Sequence, residues 1–161
     1  MLGLVLLVTT ATAILPQSIA FEQFAVSERF VGKPAQPNLS SHPDARTYRT
    51  VLARESQAGP NFAGHFTLVR IGCGTGCSRV AVVESGHGTV YFPAGLSFTF
   101  TAGWWNEPIG PVFQLTSRLL VVYGQAGTET APYGISYFEW TGTDFKLLKF
   151  EPHSRGEPKG V

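Results

Sequence analysis

Cys73 and Cys77 stand at the two ends of Gly74-Thr75-Gly76, between two runs of β-type residues. At the neck of a hairpin, facing residues have Cα atoms about 4.5 to 5.5 Å apart, within the range a disulfide tolerates. A redox-active dithiol favours C-x-x-C spacing ahead of a helix N-terminus, which depresses a thiol pKa, and neither is present. A zinc site would need a second ligand pair. The spacing therefore predicts a structural disulfide, worth about 2 kcal/mol for so short a loop. Gly72, Gly74 and Gly76 supply the backbone freedom that a small ring requires.

A second group could act on a ligand. Asn61, His65, Arg70 and Glu84 fall on and around the first strands, and His65 could serve as general base or ligand with Asn61 beside it. The same residues have structural readings. Asn61 after Pro60 suits a turn in which its amide bonds nearby backbone. His65 suits a buried imidazole bonded to a carbonyl, and Arg70 with Glu84 suits a cross-strand ion pair. A third feature is Gly103-Trp104-Trp105-Asn106-Glu107-Pro108. Adjacent tryptophans on a strand point to opposite faces. One of them could meet a protein or a sugar ring, or both could cover the end of the sheet.

Other nucleophile motifs are missing from the sequence, and the scattered carboxylates, Asp44 and Asp144 among them, show no glycosidase pair short of the tertiary fold. The chain contains no G-x-S-x-G elbow, H-E-x-x-H, P-loop or G-x-G-x-x-G. Ser85 and His87 share a tight turn, where Ser and Gly are expected on turn chemistry alone. His42 falls at a helix start and His153 in the tail, so the histidines are not spaced as metal ligands, and no cofactor is implied. Twelve basic against eleven acidic side chains leave a net charge of +1, without the basic footprint of a nucleic-acid-binding protein.

These residues need elements to position them. Ala45, Tyr48, Val51 and Leu52 recur at helical spacing, with Arg46, Arg49 and Arg54 on the opposite side. Ser41 and Asp44 read as its N-cap pair, Pro43 as its first turn, and Gly59-Pro60 as its stop. From Phe62 onward, short β-branched and aromatic runs alternate with Gly-bearing turns. The runs are 66–71, 78–84, 89–92, 96–101, 112–115, 119–123, 135–140 and 145–150. The sequence of strand, loop, strand, tight turn, strand occurs twice, predicting two three-stranded antiparallel meanders. The fold expected is mainly β (α+β), one antiparallel sheet built from those meanders and backed by one N-terminal amphipathic helix.

The charge distribution divides the chain. Residues 1–20 carry no charged side chain, and all 23 charges lie in the remaining 141 residues. The apolar run from Leu2 is too short to span a bilayer and is followed by Ser18-Ile19-Ala20, a small-x-small site. This predicts a signal peptide over 1–20, cleaved after Ala20, with no stable membrane span afterwards. An extended entry segment over 21–40, a single mainly-β domain over 41–152 and a flexible tail over 153–161 complete the expected organisation.

Gly59-Pro60-Asn61-Phe62-Ala63-Gly64-His65-Phe66, followed by Gly72-Cys73-Gly74-Thr75-Gly76-Cys77, resembles the motif pair of a family of small exported bacterial proteins of unknown function. The resemblance covers about Tyr48 to Phe92. It implies export and paired cysteines, with Asn61, Gly64, His65, Cys73 and Cys77 as motif positions, and it implies no activity. Together these features lead to the expectation of a periplasmic or secreted, non-enzymatic module that binds an envelope protein or glycan, of inhibitor or immunity type. The competing expectation is a small envelope hydrolase or metal-dependent enzyme centred on His65.

Overall fold

The computed structural model describes residues 18–101 and 108–153. The chain forms one antiparallel eight-stranded sheet and one α-helix. The strands are β1 (Phe66–Gly74), β2 (Cys77–Glu84), β3 (Val90–Tyr91), β4 (Thr99–Thr101), β5 (Val112–Phe113), β6 (Leu119–Ala126), β7 (Gly134–Trp140) and β8 (Phe145–Pro152). Each falls on one of the eight expected segments. Leu96 is lost from its strand because it closes a 3-10 turn, Ala94–Leu96, and buries its side chain.

The order is β1-β2-β4-β6-β7-β8, with β3 beside β2 and β5 beside β6. Two meanders do not describe this sheet completely. β4 joins the halves, pairing with Cys77 and Ser78 on one side and with Gly124, Gln125 and Ala126 on the other. The Cys73–Cys77 loop and the 127–133 loop consequently share one rim, where Cys73, Cys77, Thr128 and Glu129 line a common depression.

Alternation along the strands explains how the sheet is filled. Leu68, Val80 and Val82 from one half meet Leu120, Val122, Phe138, Trp140 and Phe145 from the other in a single inner core. The intervening residues Val69, Ile71, Ala81 and Val83 point outward and are covered by the helical segment. On the other half, Leu119, Val121 and Ile135 point outward against Ile19, Phe21 and Phe24. Both faces of β1, β2 and β6 are thus covered. This is why those strands read as nearly continuous apolar runs rather than clean alternations.

The helix is shorter than expected. α1 spans Arg49–Ser56, preceded by a 3-10 turn at Pro43–Ala45. Ser41 does not cap it, because its hydroxyl accepts the Val90 N–H at 2.9 Å and donates to the Asn38 carbonyl at 2.6 Å. His42 instead caps the 3-10 turn, its Nδ1 accepting the Asp44 N–H at 3.1 Å. Asp44 is drawn to Arg79 at 3.2 Å, and Arg79 also donates to the Tyr48 hydroxyl at 2.8 Å. Leu52 is fully buried under α1, whereas Arg46, Arg49 and Arg54 are exposed.

The entry segment turns at Leu39-Ser40 and, before that, forms a 3-10 turn at Phe21–Phe24. Side chains three apart eclipse in that geometry, so Phe21 and Phe24 reach the same outer apolar cluster. Beyond it the segment straps the sheet. The N–H groups of Val26, Phe30, Ala35 and Asn38 donate to the carbonyls of Thr116, Gly64, Ser85 and Gly88 at 2.7–3.0 Å. His153 is tied by its N–H to the Tyr133 carbonyl, and the rest of the expected tail, 154–161, lies outside the described residues. So does most of the expected signal peptide, residues 1–17. Among the described residues, no helix is long and apolar enough to cross a membrane.

Cys73 and Cys77 form a disulfide with Cα atoms 5.1 Å apart. They are not direct register partners as a simple hairpin neck would have them. Cys77 faces Gly74, and Cys73 occupies a bulge between Gly72 and Gly74 that swings it toward its partner. Gly74 at φ 137° and Gly76 at φ 74° permit this turn. Thiol labelling of the native protein should find no reactive cysteine until reductant is added. Reduction should lower unfolding stability by about 2 kcal/mol; labelling of both thiols without reductant would contradict the structure.

Candidate functional site

The segment Gly59–Phe66 reverses the chain between α1 and β1. Phe62 and Phe66 form an antiparallel bridge across consecutive left-handed residues, Ala63 (φ 45°) and Gly64 (φ 76°). Asn61 then acts as a surrogate strand residue. Its Oδ1 accepts the Leu68 N–H at 2.8 Å while its Nδ2 donates to the Leu68 carbonyl at 3.2 Å. The reversal is anchored to the chain beyond β5, where Gly64 N–H donates to the Leu115 carbonyl at 2.6 Å. The Gly-Pro-Asn-Phe-Ala-Gly-His motif is therefore a structural junction.

Beside this junction lies a cleft of about 670 Å³, bounded by Asn61, Leu68 and Arg70 on one side and by Gly76 to Ser78, Thr101, Ile109 to Pro111 and Phe113 on the other. Arg70 is exposed, and its Nη1 donates to the Ile109 carbonyl at 3.2 Å. Gly110 (φ 87°), whose N–H donates to Thr101 Oγ1 at 2.8 Å, makes room for that guanidinium; a Cβ there would collide with Arg70 Nη1. Among the described residues Arg70 has no carboxylate partner. Arg54 and Glu55 also border the cleft, paired with each other at 2.7 Å. Thr101, Gly110, Arg54 and Glu55 carry no motif that would have singled them out; the Gly-Pro at 110–111 is the only local signal of a turn.

The structure does not unite the expected patch. Asn61 and Arg70 share the cleft, whereas His65 lines a separate groove of about 360 Å³ with Ser27, Glu28 and Arg118. The Arg70–Glu84 ion pair does not form, because the register places Arg70 opposite Val80 and Glu84 opposite Phe66. Glu84 folds back on its own turn, accepting the Gly86 and His87 N–H groups at 2.7 and 2.6 Å and meeting His87 Nδ1 at 3.1 Å. Trp104 and Trp105 lie outside the described residues. Among the described residues, no three His, Cys, Asp or Glu side chains gather as a metal site.

Among the described residues, Glu84 is the one group with a clearly shifted acidity. Partial burial alone raises its pKa, but the Gly86 and His87 amides and the His87 ring together outweigh that and hold it below the usual glutamate value. The unfolded chain thus binds this proton more tightly than the folded one. The stabilisation is complete above the unfolded value of about 4.3 and is lost as pH falls through the lower folded value. Glu84→Gln should cost about 1 to 2 kcal/mol at pH 7, and the gap from wild type should narrow in urea titrations at acidic pH. A gap independent of pH would contradict this role.

Comparison of the chain with protein-family models, with curated proteins and with solved structures finds no match.

Proposed function

We propose that the protein is an exported, periplasmic, non-enzymatic module that binds a protein or cell-envelope ligand, of inhibitor or immunity type. The observation that carries this reading is the composition of the cleft. It offers the Arg70 guanidinium and strand backbone as binding groups, while the Asn61 amide is consumed by Leu68 and His65 opens elsewhere. Export is supported by the disulfide, by the uncharged first twenty residues and by the motif pair. The test is affinity capture from an envelope extract with wild type, Arg70→Glu and Trp105→Ala. A partner retained by wild type and lost with Arg70→Glu supports the cleft; equal capture by all three, or by none, defeats it. Loss with Trp105→Ala extends the binding surface to the aromatic loop.

One observation favours the enzyme reading: His65 shares an open groove with Ser27 and Glu28. Activity toward envelope glycan or peptide substrates that disappears in a folded His65→Ala variant would replace the binding reading.

A further inference from the structure

We propose that the outer edge of β1 at Arg70 and Gly72 is a strand-addition site for an extended, acidic peptide segment of a partner protein. The proposal rests on the binding-module reading and gives its partner a chemistry.

β1 ends the strand order, so one of its edges has no neighbouring strand. Hydrogen bonds identify which residues face that edge. Phe66 donates its N–H to the Phe62 carbonyl, and its own carbonyl accepts from Asn61 and Phe62. Leu68 directs both its backbone groups to the Asn61 side chain. Strand backbone alternates with a period of two, so Arg70 and Gly72 point the same way. Among the described residues nothing pairs with them. The protein closes its edge at 66 with main chain and at 68 with an amide that imitates main chain, and among the described residues leaves the two donors and two acceptors of Arg70 and Gly72 unpaired on that edge.

The other terminal strand is protected differently. β8 carries Lys146 and Lys149, and β7 and β8 are offset by an irregularity at Tyr137–Phe138; edge lysines and bulges both discourage pairing. The open part of β1 has no lysine and borders the cleft of about 670 Å³. A Cβ placed at Gly72 meets nothing within 4 Å, so the face of the strand is unobstructed there. Main-chain pairing would give such a complex its affinity, and side-chain contacts its selectivity. The selecting group is Arg70, exposed and held over Gly110 without a carboxylate among the described residues. A guanidinium so placed favours a carboxylate on the facing or diagonal residue of the added strand.

The test is titration of the full-length protein with two synthetic peptides, one alternating glutamate and threonine, the other lysine and threonine. It is followed by amide exchange and by binding affinity. In the free protein the Arg70 and Gly72 amides should exchange freely, and the acidic peptide should slow both about tenfold or more. Gly72→Pro, which removes an N–H that bonds nothing among the described residues, should abolish binding. Arg70→Glu should weaken the acidic peptide about tenfold and reverse the preference toward the basic one. Protected amides before peptide is added, or acidic-peptide binding without amide protection, would overturn strand addition. So would a concentration-dependent dimer that Gly72→Pro dissolves, since the occupant would then be a second copy. Envelope capture that survives Gly72→Pro but not Arg70→Glu would remove the strand mechanism while leaving the binding module intact.

Discussion

Replacing Phe62 by alanine should cost about 3 to 5 kcal/mol of unfolding free energy, enough to remove a large part of a small domain's stability. Phe62 is fully buried, and its ring lies 5.9 Å from Phe113, 6.3 Å from Trp140 and 5.8 Å from Phe145. It is the point at which the reversal before β1 enters the core shared by both halves of the sheet. Truncation would leave a cavity among rings contributed by three separate segments, which cannot all collapse onto it. Urea unfolding followed by tryptophan fluorescence provides the measurement. A loss below about 1 kcal/mol would mean that Phe62 is not a core residue. Phe62→Leu, which keeps most of the volume, should recover much of the loss.

Gly64→Ala should be the most costly glycine substitution in the motif, at about 2 to 5 kcal/mol. The residue sits at φ 76°, where a Cβ costs about 1 to 2 kcal/mol. The added carbon would also collide with the Glu28 carbonyl oxygen and press on Val26 Cγ2 at 3.2 Å. Relief requires moving the strap, and that strains the Phe30 N–H bond to the Gly64 carbonyl and the Val26 N–H bond to the Thr116 carbonyl. Gly72→Ala provides the control. Gly72 lacks a positive φ and has open space at its Cβ position, so the change should stay within about 0.5 kcal/mol. Thermal and urea midpoints of the two variants should differ clearly; equal effects would show that the strap does not hold Gly64.

The two glycines show where sequence reading succeeds and where it stops. A cluster of Gly, Pro and Asn at 59–64 marks a turn from composition, because those residues tolerate the backbone angles turns demand. The sequence does not show that a strap from residues 26–30 passes directly over one of those glycines. The cysteines behave similarly. Their separation and their flanking β runs indicate a disulfide, but the bulge at Cys73 appears only once β1 and β2 are aligned. For the candidate site, Asn61 and Arg70 are identifiable as polar residues beside strands. Their different fates, one consumed by Leu68 and one open to a cleft, depend on contacts seven and thirty-nine residues away.

The order of amino acids alone specifies the local elements: eight strands from β-branched and aromatic runs, a helix from three- and four-residue spacing, and turns from Gly, Pro, Asn and Asp. It also specifies the cysteine pairing, since two cysteines leave one choice. These properties depend on backbone preference and short-range periodicity, which act within a few residues. Register, sheet order and the faces that meet were decided by tertiary structure. A shift of one residue moves every side chain of a strand to the other face, so burial of non-local partners selects the register. That selection sent Glu84 to its own turn and separated His65 from Asn61. It also placed Arg70 at a strand edge that is unpaired among the described residues, the feature from which the proposed partner chemistry follows.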